Sequence, residues 1–260
     1  MGDTTPPPAY PNRQRGLVVG IPIDAVSWQA ARQVLGNWAA ARESRYICIC
    51  NVHSVVTAGQ DGDYLRIIEE ADMATPDGAP IAWTLRRKGF YGQDRVNGPD
   101  LMWRLCEEAE GRDIKVGLFG STTETLEQLR GIMVKKFPGL AITYCVSPPF
   151  RQLGHDEDGE ICDSINASEI GLLFVGLGCP KQEKWMAAHR GRVRAVMIGV
   201  GAAFDYHAGT IPRAPVWMQA NGLEWLHRLV SEPRRLWRRY FVTNSLFIVK
   251  TAREWAKAQF

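Results

Sequence analysis

IKVGLFGSTTETLEQLRGIMVKKFPGLAITYCV, running from Ile114 to Val146, decides the fold class. IKVGLFGS is an almost unbroken apolar run and reads as a strand. TTETLEQLRGIMVKKF has helical spacing and is stopped by Pro138-Gly139, and LAITYCV returns as a strand. A strand without polar alternation is covered on both faces, as in a parallel sheet. The same alternation recurs on both sides. Upstream, GLVVGI (Gly16 to Ile21) reads as a strand, Ser27 to Ala41 as a helix with Ser27 as its N-cap, and YICICN as a strand. Downstream come a weaker helix around Glu160 to Ala167, the strand IGLLFVGLG, the helix PKQEKWMAAHR and the strand VRAVMIGVG. The expected architecture is α/β, a Rossmann-like, largely parallel sheet with helices on both faces, followed by a C-terminal helical appendage. In such sheets ligands sit beyond the carboxyl ends of the strands. That rule selects Asn51, Gly120-Ser121, Gly176 to Lys181 and Gly199 to Asp205.

Three regions follow from composition. Residues 1–15 are Pro-rich, lack an apolar signal core and read as a disordered lead-in. Met1-Gly2 resembles a myristoylation start, but Pro6 stands where Ser or Thr is required. Residues 16–212 form the α/β core. Residues 213–260 form a basic amphipathic appendage. The net charge of +3 is unevenly spread. From Arg213 onward there are nine Lys and Arg against three Asp and Glu, whereas the preceding part is net acidic. A basic end implies an anionic partner. No run approaches the roughly 20 apolar residues of a spanning helix. The six cysteines show no zinc spacing and read as reduced, mostly buried thiols of a cytoplasmic protein. Cys48 and Cys50 should share one strand face.

Several motifs could carry chemistry. GLGCPKQE places a Gly-rich turn before a helix starting near Pro180, which suits a phosphate, with Lys181 and Gln182 as extra donors. A ligand-free turn would show the same spacing. GLGCPK and GVGAAF, the latter containing Gly199 and Gly201, both lack the third glycine of a dinucleotide fingerprint. ATPDGAP puts Asp77 in common turn chemistry, where a carboxylate at a cleft rim could also act as a general base. RVNGPDL offers Arg95 as an anion contact and Asp100 as an early-helix acid. The strings Asp61-Gly62-Asp63 and Asp156-Glu157-Asp158 follow no apolar strand. They read as solvated loop or helix-start acids rather than metal ligands, and no metal or cofactor is expected. The five histidines, including His53 and His207, show no ligand spacing.

Together, NVHSVV, TPDGAPIAW, RVNGPDL, GLFGSTTETLEQL, GLGCPKQEKWM and IGVGAAFDYHAGTIPRAPVWMQANGLEWLHRLVSEPRRLWRRY resemble the TagA/WecG-type (WecB/TagA/CpsF) glycosyltransferases in order and spacing, from about Gly16 to about Phe241. The resemblance implies an inverting, metal-independent enzyme of bacterial cell-surface polymer assembly: exopolysaccharide, capsule or a teichoic-acid-type polymer. It would move a hexosyl or N-acetylhexosaminyl group from a UDP-sugar to a polyprenyl-diphosphate-linked saccharide. Asp77 matches the family's proposed base. Asn51, Arg95 and Gln182 match substrate-contacting positions, and Lys181, Gly199, Gly201 and Asp205 fall in the same motifs. Members often carry a Thr two residues before the matching Asn; here Ile49 stands there. TPDGAPIAW carries Ala-Pro where many relatives have a small aliphatic residue and Gly.

The appendage then acquires a reading. Leu223, Leu226, Leu229 and Val230 have helical spacing, and Ser231-Glu232-Pro233 is a fresh helix start. Leu236, Trp237, Tyr240, Phe241, Phe247, Ile248, Ala252 and Trp255 form one broad apolar stripe. Arg234, Arg235, Arg238 and Arg239 crowd its first turns. Such a helix suits an anionic membrane surface, here the inner face of the bacterial plasma membrane. Together with Arg213 and Arg228, these arginines would contact lipid or the leaving diphosphate. A helical hairpin docked on the core would explain Leu223 to Val230 equally. Two other classes compete: a nicotinamide-dinucleotide-binding Rossmann oxidoreductase, and a nucleic-acid module built on Arg and Trp. The missing third glycine opposes the first. No nucleic-acid motif accompanies the tail, so no nucleic-acid partner is expected.

Overall fold

The computed structural model describes residue 10, residues 13–151 and residues 153–258. Most of the expected lead-in, residues 1–9 with 11 and 12, lies outside the described residues. Its last residues are held: Arg13 and Arg15 both reach Asp24, which is fully buried. Asp24 also accepts the Ala74 N–H at 2.5 Å. GLVVGI is not one strand of the sheet but the bend of a hairpin. β1 (Arg15–Val18) and β2 (Ile21–Asp24) pair antiparallel. Val19 and Gly20 between them have φ of +53° and +83°. Two left-handed residues let a tight hairpin turn match the twist of its strands. An apolar run hid that turn.

The core then alternates as expected. α1 (Trp28–Ala40) begins at Ser27, whose hydroxyl accepts the Ala30 N–H. β3 (Arg45–Cys50) is followed by α2 (Val52–Ala58), α3 (Gly62–Glu70), β4 (Met73–Pro76) and α4 (Ala79–Arg87). α5 (Gly98–Gly111), β5 (Val116–Gly120), α6 (Thr123–Lys136) and β6 (Ile142–Val146) come next. α7 (His155–Ala167), β7 (Leu172–Gly176), α8 (Lys181–Ala188), β8 (Val196–Gly199) and α9 (Ala203–Ala208) complete the core. The six strands from β3 to β8 form one parallel sheet in the order β4-β3-β8-β7-β5-β6. Strand alternation sorts β3 into two cores: Ile47 and Ile49 pack with α1, α5 and α6, whereas Cys48 and Cys50 pack with α2, α3 and α8. The protein is thus an α/β, Rossmann-like sheet with helices on both faces. All six cysteines are free thiols.

The first DxD string is the start of α3, where Asp61 accepts the Asp63 and Tyr64 N–H groups. The second falls in the first turn of α7. Both are helix-start acids.

The carboxyl ends of β5 and β7 press together. Gly120 has φ of +119°, and a Cβ there would lie 2.6 Å from the Gly176 carbonyl carbon. Only glycine fits both the backbone angle and the approach.

The appendage comprises α10 (Val216–Ala220), α11 (Glu224–Ser231) and the 26-residue α12 (Pro233–Ala258). The single apolar stripe expected along α12 divides. Leu236, Thr243, Phe247 and Thr251 are buried, and the helix packs on α2. Trp255 meets Trp83 of α4 with ring centroids 4.9 Å apart. Trp237, Phe241 and Ile248 face outward and are 58%, 72% and 66% exposed. A stripe wider than one docking face must leave half its width uncovered.

Candidate active site

A cavity of about 1320 Å³ opens over the carboxyl ends of the strands. Residues just beyond five of the six parallel strands line it: Asn51 after β3, Asp77 after β4, Ser121 after β5, Leu177 after β7 and Val200 after β8. Helices α11 and α12 form the opposite wall with Glu224, Trp225, Arg228, Arg239 and Tyr240. One wing of the cavity carries apolar side chains from Trp83 on α4 and from Phe247, Ala252 and Trp255 on α12.

Register fixes the pair of residues at the rim. Cys50 lies opposite Pro76, and the Asp77 N–H donates to the Cys50 carbonyl at 2.9 Å. Asn51 and Asp77 therefore leave adjacent strands side by side. Asn51 is also the N-cap of α2, its Oδ1 accepting the Ser54 N–H at 3.2 Å. Ile49, two residues before Asn51 on the same strand, lines the cavity with an apolar side chain.

Asp77 sits in a charged chain that crosses from core to appendage. Its Oδ1 is 3.6 Å from Arg95 Nε, and Arg95 is ion-paired in turn with Glu224 of α11. Burial pushes the Asp77 carboxyl above its ordinary value; Glu224 adds to that, and Arg95 opposes it. Arg213 stands behind this chain, outside the cavity lining. It donates to Asp100 Oδ1 at 2.6 Å and lies 3.6 Å from Glu224. Burial would raise the Asp100 carboxyl, but Arg213 and Asn97 outweigh it and hold it below the usual range.

The β7–α8 turn is built around Gln182, which is buried. Its Oε1 accepts the Gly178 N–H at 3.2 Å, and its Nε2 donates to Glu183 Oε1 at 2.8 Å. Gly199 makes room for that amide, since a Cβ there would lie 2.8 Å from Gln182 Nε2. Gly201 and Asp205 also line the cavity. Glu183 is nearly inaccessible, and burial pushes its carboxyl up to about 7 against the pull of Gln182 and the Cys179 thiol.

The positive side belongs to the appendage. The Arg228 guanidinium lies 5.8 Å from the Tyr206 ring centroid and 3.7 Å from Glu232. The buried Nε atoms of Arg95 and Arg228, both in the cavity lining, make no hydrogen bond, so donors remain for an anionic ligand. Burial, then Arg239 and Arg228, push the His53 imidazole down to about 4, a local sign of positive potential.

The residues singled out from the sequence thus separate. Asn51, Asp77, Arg95, Gln182, Gly199, Gly201, Asp205, Arg228 and Arg239 line one cavity. Lys181 does not: it is exposed on α8 while its neighbour Gln182 is buried, because adjacent helical residues point about 100° apart. Arg234 and Arg238 are exposed outside the cavity, and the Arg235 side chain lies outside the described residues. Glu224, Glu183, Tyr206 and Tyr240 were not expected. Glu224 had one available signal. It and Glu232 are the only acids between Arg213 and Phe241, and each is paired with an arginine.

Comparison with known proteins agrees with this geometry. Residues 17–260 match the family described as "Glycosyl transferase WecG/TagA/CpsF family". A Bacillus spizizenii protein named N-acetylglucosaminyldiphosphoundecaprenol N-acetyl-beta-D-mannosaminyltransferase is 30% identical over 75% of this chain and 74% of its own length. A Bacillus subtilis protein of the same name is 28% identical over 74% and 73% of the two chains. One from Staphylococcus aureus is 27% identical over 82% and 83%. Nothing among these supports the oxidoreductase alternative. A parallel sheet whose strand ends and basic appendage enclose one cavity, and a match spanning nearly its whole length, lead to one assignment: this chain belongs to the WecG/TagA/CpsF family of glycosyltransferases.

Proposed function

We propose that the protein transfers a sugar from a UDP-sugar to a polyprenyl-diphosphate-linked saccharide with inversion, using Asp77 as the general base and no metal. One observation carries the reading: Asp77 shares a cavity with Arg95 and with Arg228 and Arg239 of the appendage. Asp77 takes the proton of the acceptor hydroxyl as its oxygen attacks the anomeric carbon. The bond from that carbon to the diphosphate breaks on the opposite face. The departing diphosphate gains negative charge, which fixed guanidinium groups stabilise best where water is excluded. Arg228 and Arg239 supply that charge, and Gln182 fixes the turn beside it. The raised Asp77 carboxyl favours this role, because a base is most effective when its pKa approaches the working pH.

The acceptor's lipid explains the rest of the appendage. The apolar wing between Trp83 and Trp255 would receive the first isoprene units. Trp237, Phe241 and Ile248, with Arg234 and Arg238 beside them, would lie in the interface of an anionic bilayer, placing the enzyme on the cytoplasmic face of the plasma membrane. Among the described residues no helix is long and apolar enough to cross a membrane. The relatives' names make N-acetylmannosamine and N-acetylglucosaminyl-diphosphoundecaprenol the first donor sugar and acceptor to try. The test is a panel of UDP-sugars with that acceptor, products read by mass spectrometry. Product from one or more donors is expected. No transfer from any UDP-sugar, with transfer from another activated sugar, would overturn the donor assignment.

A further inference from the structure

We propose that Asp158, Cys162 and His189 form a zinc site that ties α7 to the end of α8. Their ligand atoms all lie within 4.8 Å of one another. Asp158 and Cys162 are four residues apart on α7 and so share a helix face. His189 is the C-cap of α8. None of the three lines the cavity, so this site is separate from the transfer chemistry.

The hydrogen bonding of His189 carries the argument. The ring stacks on Trp185 with centroids 4.1 Å apart, and its Nδ1 is 2.6 Å from the Trp185 carbonyl oxygen. A carbonyl only accepts, so Nδ1 carries the hydrogen. In the neutral ring Nε2 then presents a lone pair. That lone pair faces Asp158 Oδ1 at 2.8 Å, which is another acceptor. At 2.8 Å a proton lies between them; a metal bound by both would take the place of that proton and spread the two atoms apart. The nearby Cys162 thiol, 4% exposed, gives a metal a third ligand.

The surroundings suit a metal as well as the ligands do. An imidazole whose second N–H is held by a backbone carbonyl is the usual outer arrangement of a metal-binding histidine. Asp158 is supported in the same way, its Oδ2 accepting from Arg192 Nη1 at 2.8 Å. Thiolate, imidazole and carboxylate together favour zinc over the hard cations magnesium and calcium. Zinc–ligand bonds of about 2.0–2.3 Å place tetrahedral ligand atoms roughly 3.4–3.8 Å apart. The Asp158–His189 pair must therefore open and Cys162 must close in. A water completes the tetrahedron, for the Asp158 side chain is 24% exposed. On binding, the sulfur–zinc bond replaces the sulfur–hydrogen bond and the proton passes to solvent, so affinity rises with pH.

The site can be read directly in the full-length protein. Titration with Co²⁺ is expected to give a near-ultraviolet thiolate-to-cobalt charge-transfer band at one equivalent, removed by Zn²⁺ and untouched by Mg²⁺. Cys162→Ser abolishes the band, whereas Cys106→Ser, altering a buried thiol on α5, retains it. Arg192→Gln, which removes only the outer support of Asp158, weakens zinc binding about 10–100-fold. Zinc raises the Tm of the wild type and leaves that of Cys162→Ser unchanged. If Cys162→Ser does not fold, the more exposed Asp158→Asn takes its place, with zinc affinity as the readout. Absence of the band in the wild type, or its survival in Cys162→Ser, overturns the proposal and leaves His189 and Asp158 as a hydrogen-bonded pair.

Discussion

Glu224 of α11 is ion-paired with Arg95, and the same guanidinium stands 3.6 Å from Asp77. A carboxylate of the core and one of the appendage thus compete for one arginine. Removing Glu224 takes away a charge that raises the Asp77 carboxyl and frees Arg95 to pair with it. Glu224→Gln should move the acidic limb of the pH–rate profile to lower pH. Arg95→Ala removes the opposing charge and should move it to higher pH. Measured kcat/KM profiles of the two variants shifting in the same direction would refute this coupling.

Asp77→Asn keeps the shape of the side chain and removes its basicity. Turnover should fall by about 10²–10⁴-fold while UDP-sugar affinity, measured by calorimetry, stays close to wild type. Turnover near that of the wild type would take Asp77 out of the mechanism.

The two faces of α12 predict separable defects. Trp237→Ser with Phe241→Ser alters only exposed side chains. It should weaken binding to phosphatidylglycerol vesicles and slow transfer to membrane-embedded acceptor, while sparing a short-chain soluble analogue. Arg239→Ala alters the cavity wall and should slow transfer to both acceptors by roughly 10²–10³-fold, the usual cost of one well-placed electrostatic donor. Vesicle binding unchanged by the double substitution would remove the anchor. An unaffected Arg239→Ala enzyme would remove the arginine from the chemistry.

Chelation tests a different line. Transfer should continue after exhaustive EDTA treatment at a temperature where the treated protein remains folded. Complete loss, restored by Mg²⁺ or Mn²⁺, would put a metal in the cleft. A Tm lowered by EDTA and restored only by Zn²⁺ would concern the α7–α8 cluster instead.

Glu183 gives the fold itself a pH dependence. Its carboxyl titrates near 7 in the folded protein against 4.5 as its ordinary value. The folded state therefore holds the proton after the unfolded chain has released it. Its contribution is full below pH 4.5 and is lost as pH rises towards 7, on the order of 3 kcal/mol across that window. Glu183→Gln should flatten the decline of stability between those limits, measured by urea unfolding at several pH values. An equally steep decline in the variant would place the titrating group elsewhere.

Much of this was legible in the chain because period and burial coincide there. The apolar runs from Val116 to Gly120 and from Leu172 to Gly176 are buried on both faces and could be nothing but inner strands. β4 was not legible: Met73 to Pro76 is short and runs straight into Pro-Asp-Gly, so turn chemistry concealed a strand that places Asp77. At the site, the strand-end rule led to Asn51, the GLGCPKQE turn to Gln182, and the family motifs to Asp77 and Arg95. Arg213 was read as a ligand contact; in the structure it pairs with Asp100 and lies 3.6 Å from Glu224. A guanidinium is equally at home against phosphate or carboxylate, and sequence spacing does not distinguish them. His189 is distant in sequence from Asp158 and Cys162, and only the packing of α7 beside α8 brings it to them.

Docking on α2 fixes the roll angle of α12 as well as its position. Each residue of a helix turns the axis by about 100°. Insertion of one residue between Pro233 and Leu236 would swing every later side chain by that angle relative to the fixed start of the helix. Phe247 would leave its socket, and Arg239 and Tyr240 would rotate away from Asp77. The outward row of Trp237, Phe241 and Ile248 would turn by the same amount. Cavity wall and exposed apolar row are thus set by one phase, and a frame-preserving indel early in α12 displaces both at once.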